Sequence, residues 1–135
     1  MRHKIVLVDD NQVNLTIGRN LLRKFYEVYP APSAEKLFQI LENVIPDLVL
    51  LDIEMPVMNG FEMIKIMKAD PRFMDIPVIF VTAKSDEGSA MEGFDLGAVD
   101  YVFKPFSGPL LLKRIENHIL IAQQRKDLLA RTMKE

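Results

Sequence analysis

Leu48-Val49-Leu50-Leu51-Asp52 is the stretch on which the reading of this chain turns, and the loop Ile53-Glu54-Met55-Pro56-Val57-Met58-Asn59-Gly60 follows it directly. Four apolar residues without polar alternation read as a strand buried on both faces. A carboxylate at its end faces the crevice where open α/β sheets place their chemistry. Three further strand-like runs end in polar groups. Lys4-Ile5-Val6-Leu7-Val8 runs into Asp9-Asp10, Pro77-Val78-Ile79-Phe80-Val81 into Thr82, and Tyr101-Val102-Phe103 into Lys104-Pro105. Strand ends carrying acid, acid, hydroxyl and amine predict one site assembled from distant parts of the chain.

Amphipathic stretches separate these runs. Val13 to Phe25 has helical spacing, with Leu15, Leu21, Leu22 and Phe25 inward. Glu27 to Ala31 reads as a short strand, and Pro30, which cannot donate to a ladder, places it at a sheet edge. Ser33 is the expected N-cap of a helix through Glu42, with Leu37, Ile40 and Leu41 on its buried face. The strand at Asp47 to Leu51 follows. Asn59-Gly60 marks a turn before a helix from Gly60 to Lys68, with Phe61, Ile64 and Met67 inward. After the strand at Val78 to Val81, a helix is expected over Glu87 to Leu96 with Gly97 as its cap. Gly88 and Gly93 weaken that helix by about 1 kcal/mol each relative to alanine. A strand from Val99 to Phe103 and a last helix starting at Ser107 or Pro109 complete five βα units. The fold class is α/β, a single parallel sheet with helices on both faces.

The chain has 135 residues, which suits one domain. About half of it is apolar, enough to bury a core. Its 17 basic and 19 acidic residues leave a formal charge of -2, with no excess for a nucleic-acid or membrane surface. The absence of cysteine excludes disulfide and thiolate chemistry and fits a reducing compartment. No apolar run approaches the roughly 20 residues of a membrane span. The N-terminus lacks the pattern of a signal peptide. A cytoplasmic domain is expected.

Adjacent acids at a strand end commonly cap a helix, and Asp9-Asp10 alone favours that ordinary role. Jointly with Asp52 they do more. Three carboxylates close together repel, so they raise their proton affinity or hold a cation. Oxygen ligands suit a hard divalent ion, and Mg²⁺ keeps waters and binds phosphate oxygens beside one or two carboxylates. A lysine and a hydroxyl fit the same task.

Four tracts in this order, Asp9-Asp10, Asp52 to Gly60, Val81-Thr82-Ala83 and Phe103-Lys104-Pro105-Phe106, make the chain resemble the response-regulator receiver domains of two-component phosphorelay signalling over residues 3 to 122. The resemblance implies a doubly wound, flavodoxin-like (βα)5 fold with strand order 2-1-3-4-5. It also implies that Asp52 is the phospho-acceptor, taking a phosphoryl group from a sensor histidine kinase or a phosphotransfer protein as an acyl phosphate. Asp9, Asp10, Asp52 and the backbone carbonyl of Glu54 would hold Mg²⁺ or Mn²⁺. Thr82 and Lys104 would bind the phosphoryl oxygens, and the Lys104-Pro105 bond would be cis. Thr82 and Tyr101 would form the switch, the hydroxyl moving toward the phosphoryl group and the ring turning inward behind it. Without the resemblance, Tyr101 reads as an ordinary strand aromatic with its hydroxyl in solvent. The glycine-bearing fourth helix is the element expected to shift. Glu54 and Lys84 would gate the attacking water, against the alternative of two solvated charges worth about 0 to 1 kcal/mol. Such a chain catalyses only its own phosphorylation and dephosphorylation and is otherwise not an enzyme.

His3 and His118 carry little weight; His118 reads as a surface or groove residue, and Met55, Met58 and Met63 as fillers of apolar gaps. Leu112, Ile115, Ile119, Ala122, Leu129 and Met133 form a heptad-like seam broken at Lys126. The domain is expected over 1–122, and 123–135 as a helical extension toward an output domain or a dimer. Other readings compete. An aspartate-nucleophile phosphatase would carry a second acid two residues after its nucleophile, which Glu54 only loosely mimics, and a cap insertion not found here. A flavin or nucleotide binder would want a phosphate-cradling loop where this chain has Asp9-Asp10-Asn11-Gln12. A degenerate receiver serving only as an interaction module would not need intact acids, Thr82 and Lys104.

Overall fold

The computed structural model describes residues 2–83 and 87–134. The elements alternate: β1 Lys4–Val8, α1 Gln12–Leu22, β2 Glu27–Ala31, α2 Ala34–Asn43, β3 Leu48–Leu51, α3 Gly60–Ala69, β4 Val78–Thr82, α4 Glu87–Asp95, β5 Asp100–Phe103 and α5 Gly108–Lys134. All strand pairs are parallel, and the order is β2-β1-β3-β4-β5. Pro30 lies on β2, the edge strand, as its missing N–H predicts.

The unbroken apolar strands feed two cores by the period of two that a strand imposes. Val6 and Val8 of β1, Val49 and Leu51 of β3, and Val78 and Phe80 of β4 pack with Leu37, Leu41, Met63, Ile64 and Met67 of α2 and α3. Their neighbours Ile5, Leu7, Leu48, Leu50, Ile79 and Val81 pack on the other face with Leu15, Leu22, Leu111, Ile115 and Ile119 of α1 and α5. Burying a side chain of this size contributes about 1.5 to 3 kcal/mol, so the central strands are the most strongly held part of the fold.

Local chemistry sets the helix ends. Asn11 Oδ1 accepts from Asn14 N–H at 3.1 Å, and Ser33 Oγ from Lys36 N–H at 3.1 Å. Asn59 and Glu62 form a reciprocal capping box at the start of α3. Helix α4 ends in a glycine cap: Gly97 has φ +110°, Ala98 N–H reaches Gly93 C=O and Gly97 N–H reaches Phe94 C=O, each at 3.0 Å.

Several expectations need adjustment. Helix α1 stops at Leu22 and Arg23 is its cap, so Phe25 falls beyond the helix and is 57% exposed. Met63 is buried in α3, while Phe61 is half-buried at its start. Ser107 precedes α5, its carbonyl accepting from Leu111 N–H at 3.0 Å. The seam of α5 is used by the core only as far as Ile119; Leu129 and Met133 are exposed. Among the described residues, no helix is long and apolar enough to cross a membrane.

Candidate functional site

The C-terminal ends of four neighbouring strands supply the site, and main-chain hydrogen bonds fix how they abut. Asp9 N–H donates to Ala31 C=O of β2 (3.1 Å), Asp52 N–H to Val8 C=O of β1 (3.0 Å), and Lys104 N–H to Thr82 C=O of β4 (2.8 Å). Each ladder runs one residue past its strand, so Asp9, Asp52 and Lys104 inherit positions set by the sheet. Asp9 and Asp52 are buried, Asp10 is exposed, and Thr82, the last residue of β4, is fully buried.

One carboxylate oxygen from each of Asp9, Asp10 and Asp52 lies within 4.8 Å of the others. Lys104 Nζ bridges two of these acids, at 2.6 Å from Asp9 Oδ2 and 3.0 Å from Asp52 Oδ2. Burial works to lower the Lys104 pKa, but its hydrogen bonds to Asp9 and Asp52 outweigh that and hold it above the ordinary lysine value. The free oxygens are oriented as well: Asn11 N–H donates to Asp9 Oδ1 at 3.0 Å, and Glu54 N–H to Asp52 Oδ1 at 3.2 Å. Three carboxylates against one ammonium leave an excess of negative charge in a largely buried setting. An all-oxygen donor set of this kind fits a hard divalent ion such as Mg²⁺ or Mn²⁺.

The loop after Asp52 is folded tightly over it. Ile53 C=O accepts from Met55 N–H at 3.1 Å and from Gly60 N–H at 2.9 Å. Between them Met58 N–H reaches Pro56 C=O at 2.8 Å, a three-residue turn with Val57 at φ +70°. Gly60 is required by contact: a Cβ there would lie 2.5 Å from the Asp52 carbonyl oxygen and 2.8 Å from Ile53 Cα. The Lys104-Pro105 peptide is cis, as expected. Glu54 is exposed beside the site, whereas Lys84, its expected partner in a gate, lies outside the described residues.

Tyr101 is buried. Its ring lies 6.0 Å from Phe80, 6.4 Å from Phe94 of α4 and 5.1 Å from Phe103, and Phe61 meets Phe80 edge-on at 5.5 Å. Gly93 makes room for this cluster, since a Cβ there would sit 3.0 Å from the Phe80 ring and 3.5 Å from Tyr101. In the sequence Gly93 registers as a cost to helix α4 and a mark of an element suited to shift; its role as a gap appears once Phe80 and Tyr101 pair across β4 and β5.

His118 is partly buried and has a definite partner. Asp100, the first residue of β5, accepts from Arg114 Nη1 on both oxygens at 2.8 Å and from Tyr101 N–H on Oδ1 at 2.8 Å, and its Oδ2 lies 3.1 Å from His118 Nε2. Burial works to raise the Asp100 pKa, but these hydrogen bonds, Arg114 foremost, hold it below the ordinary carboxylate value. The spacing Arg114-x-x-x-His118 on one helix face was the available signal. His3 sits 3.4 Å from Asp47, far along the sheet from the acids.

The response regulator receiver domain model matches residues 5–116. A probable cyclic di-GMP phosphodiesterase of Vibrio cholerae is 45% identical over 125 residues, which are 93% of this chain and 28% of that protein. The chain therefore spans little more than a quarter of that relative's length. Among solved structures, a CheY-like receiver domain protein from Methanospirillum hungatei superposes with a TM-score of 0.84 at 27% identity, covering 93% of this chain and 99% of that one. The receiver domain of a Pseudomonas aeruginosa sensor histidine kinase, solved with magnesium coordinated in its active-site cleft, gives 0.80 at 28% identity, covering 88% of this chain and 98% of that one.

Proposed function

The chain belongs to the response regulator receiver domain family of two-component signalling, and from that premise we propose that Asp52 is its phospho-acceptor. The observation that carries the proposal is the pair of contacts on Asp52: Glu54 N–H on Oδ1 and Lys104 Nζ on Oδ2, in a buried cleft beside two more acids. A carboxylate so held is oriented for attack and needs little reorganisation. The donor is the phosphohistidine of a sensor histidine kinase or a phosphotransfer protein. An Asp52 oxygen forms the new bond to phosphorus, the phosphorus–nitrogen bond breaks, and the imidazole leaves with the electron pair and takes up a proton. The product is an acyl phosphate.

Asp9, Asp10 and Asp52, with the Glu54 carbonyl, are the residues that would hold Mg²⁺. That ion would offset the charge of the cluster and of the incoming phosphoryl group. Lys104 is the mobile partner. Its ammonium neutralises Asp9 and Asp52 before transfer, and passes to a phosphoryl oxygen once Asp52 is esterified. The Thr82 hydroxyl, on the adjacent strand end, donates to a second phosphoryl oxygen. Any movement of Thr82 is felt at Tyr101 through Phe80 and Phe103, which flank it on the same two strands. Glu54, with Lys84, is the candidate control on the water that hydrolyses the acyl phosphate. Autodephosphorylation unchanged in both Glu54→Ala and Lys84→Ala would remove that role. The output is a domain or partner reached through α5, whose length beyond Ile119 exceeds what the core uses.

The experiment is incubation with acetyl phosphate and Mg²⁺ followed by intact mass. One added phosphoryl group, absent in Asp52→Asn, is the expected result. No gain with acetyl phosphate or with a phosphorylated kinase would mark an interaction module that has lost the chemistry. Continuous release of phosphate over many turnovers would mark a phosphatase.

A further inference from the structure

Asp9 and Asp52 are oriented by the same local device. Each offers Oδ1 to the main-chain N–H two residues on, Asn11 at 3.0 Å and Glu54 at 3.2 Å. What fixes the donor differs. The Ile53-Glu54 peptide is clamped at its other end, where Ile53 C=O accepts from Met55 N–H at 3.1 Å and Gly60 N–H at 2.9 Å. The Asp10-Asn11 peptide is held from the helix side, and the side chain of Asn11 takes part. Asn11 Oδ1 accepts from Asn14 N–H at 3.1 Å and Asn11 C=O from Leu15 N–H at 3.0 Å, with φ −87° and ψ 116° at this cap of α1.

The two partners of Asp9 are also unequal. Oδ2 takes Lys104 Nζ at 2.6 Å, but Lys104 is shared with Asp52 and passes to a phosphoryl oxygen in the transfer described above. Oδ1 takes the N–H of Asn11, which the first turn of α1 keeps in place. Asp9 is 5% exposed, so water is poorly placed to substitute for either donor. Once Lys104 turns to the phosphoryl group, the hold on Asp9 falls to Asn11. We propose that Asn11 is a positioning residue for the metal site. Its side chain caps α1, the capped turn aims its N–H, and that N–H sets the carboxylate of Asp9 for a divalent ion. Metal ligands are commonly oriented by such outer hydrogen bonds, and these tune affinity without touching the ion. The inference rests on the metal reading given above and adds to it a residue that is not a ligand.

The test compares Asn11→Ala, which loses the cap, with Asn11→Ser, which keeps it. Mg²⁺ is titrated into the metal-free chain, and its Kd is read from amide shifts around Asp9, Asp10 and Asp52. Asn11→Ala loosens the N–H without removing it, so Mg²⁺ should bind about tenfold more weakly, the low end for a lost outer partner. Asn11→Ser should stay within about twofold of wild type, because serine caps as well as asparagine. Ser33→Ala controls for a lost cap alone. Ser33 Oγ accepts from Lys36 N–H at 3.1 Å at the start of α2, as Asn11 does for α1. That variant should lower the urea midpoint by as much as Asn11→Ala and leave the Mg²⁺ Kd unchanged. In the metal-free chain, hydrogen exchange at the residue-11 amide should quicken in Asn11→Ala and not in Asn11→Ser. A wild-type Kd in Asn11→Ala, no rescue by serine, or an equal loss of Mg²⁺ affinity in Ser33→Ala would overturn the proposal. A wild-type chain that does not respond to Mg²⁺ would sink the metal reading and, with it, the role of Asn11 there. Unchanged exchange at residue 11 in Asn11→Ala would sink the cap's hold on Asp9 alone, whatever the metal does.

Discussion

Gly60 and Gly93 each let a helix approach the functional end of the sheet, but they meet different obstacles. The missing Cβ of Gly60 leaves room for main chain, the Asp52 carbonyl and Ile53 Cα. The missing Cβ of Gly93 leaves room for side chains, the rings of Phe80 and Tyr101. The difference separates two regions. Around Asp52, position is set by backbone hydrogen bonds, charge pairs and a loop with no slack. Around Tyr101, position is set by packed rings, which can exchange one arrangement for another without breaking a hydrogen-bond ladder. A phospho-acceptor needs the first kind of structure and a switch needs the second.

The largest effect should come from Gly60→Ala. Nothing at 2.5 Å can yield except the backbone that carries Asp52, so the loss of stability in urea should exceed about 3 kcal/mol. Phosphoryl uptake should fall with it even where the variant remains folded. A loss under about 1 kcal/mol would mean the loop has slack, and the contrast with Gly93 would disappear. Lys104→Met comes next. It leaves Asp9 and Asp52 buried without their shared cation, at a cost of about 3 kcal/mol near neutral pH. The cost should shrink when Mg²⁺ is added. At the alkaline end the cost fades as well. A lysine whose folded pKa is raised contributes fully below its unfolded pKa of about 10.4, and the contribution is lost as pH rises through the folded value. Wild type should therefore lose stability there while the variant does not. Stability profiles of wild type and variant that stay parallel as pH rises from 7 through the alkaline range would refute the pairing.

These two residues also mark what the sequence disclosed. The polar strand ends were legible because each follows an uninterrupted apolar run, and the parallel α/β class because five such runs alternate with helices; the strand order was legible only through the family resemblance. The Asn59-Gly60 turn was legible from its own residue types. Pairings that depend on three-dimensional distance were not. Lys104 lies closer to Asp9 than to Asp52, although the sequence ties its meaning to Asp52. Gly93 looked like a defect in a helix because its neighbours, Phe80 and Tyr101, come from two other elements. Phe25 looked like a helix-face residue because the pattern continues past the point where Arg23 N–H closes the last turn on Arg19 C=O.

Gly93→Leu tests the aromatic region directly. Phe80 is held between Phe61 and Tyr101 and has no solvent to move into, so overpacking should cost about 2 kcal/mol, even after the gain in helix propensity. Thermal unfolding should show the same loss with and without Mg²⁺ and across pH 5 to 8, because no ionisable group is displaced. Rescue by Mg²⁺ would show that the two regions are one cooperative unit and that the contrast between them is not physical.

Strand β5 belongs to both regions, which makes its first residue the finest test of the contrast. Asp100 ties β5 to α5 through Arg114 and His118, one residue before Tyr101 enters the aromatic cluster. Arg114→Met removes the guanidinium and keeps much of the aliphatic stem, so it should cost about 1 kcal/mol at pH 7, the size expected of a partly exposed pair. A carboxylate whose folded pKa is depressed contributes above its unfolded pKa of about 3.9, and the contribution fades as pH falls through the folded value. The gap between wild type and variant should thus close as pH falls toward 2. If Tyr101 is positioned by its rings, its aromatic resonances should not move in Arg114→Met. If they move as far as in Gly93→Leu, charge at the start of β5 positions the ring as well, and the division between an electrostatic and a packed region has to be redrawn inside this one strand.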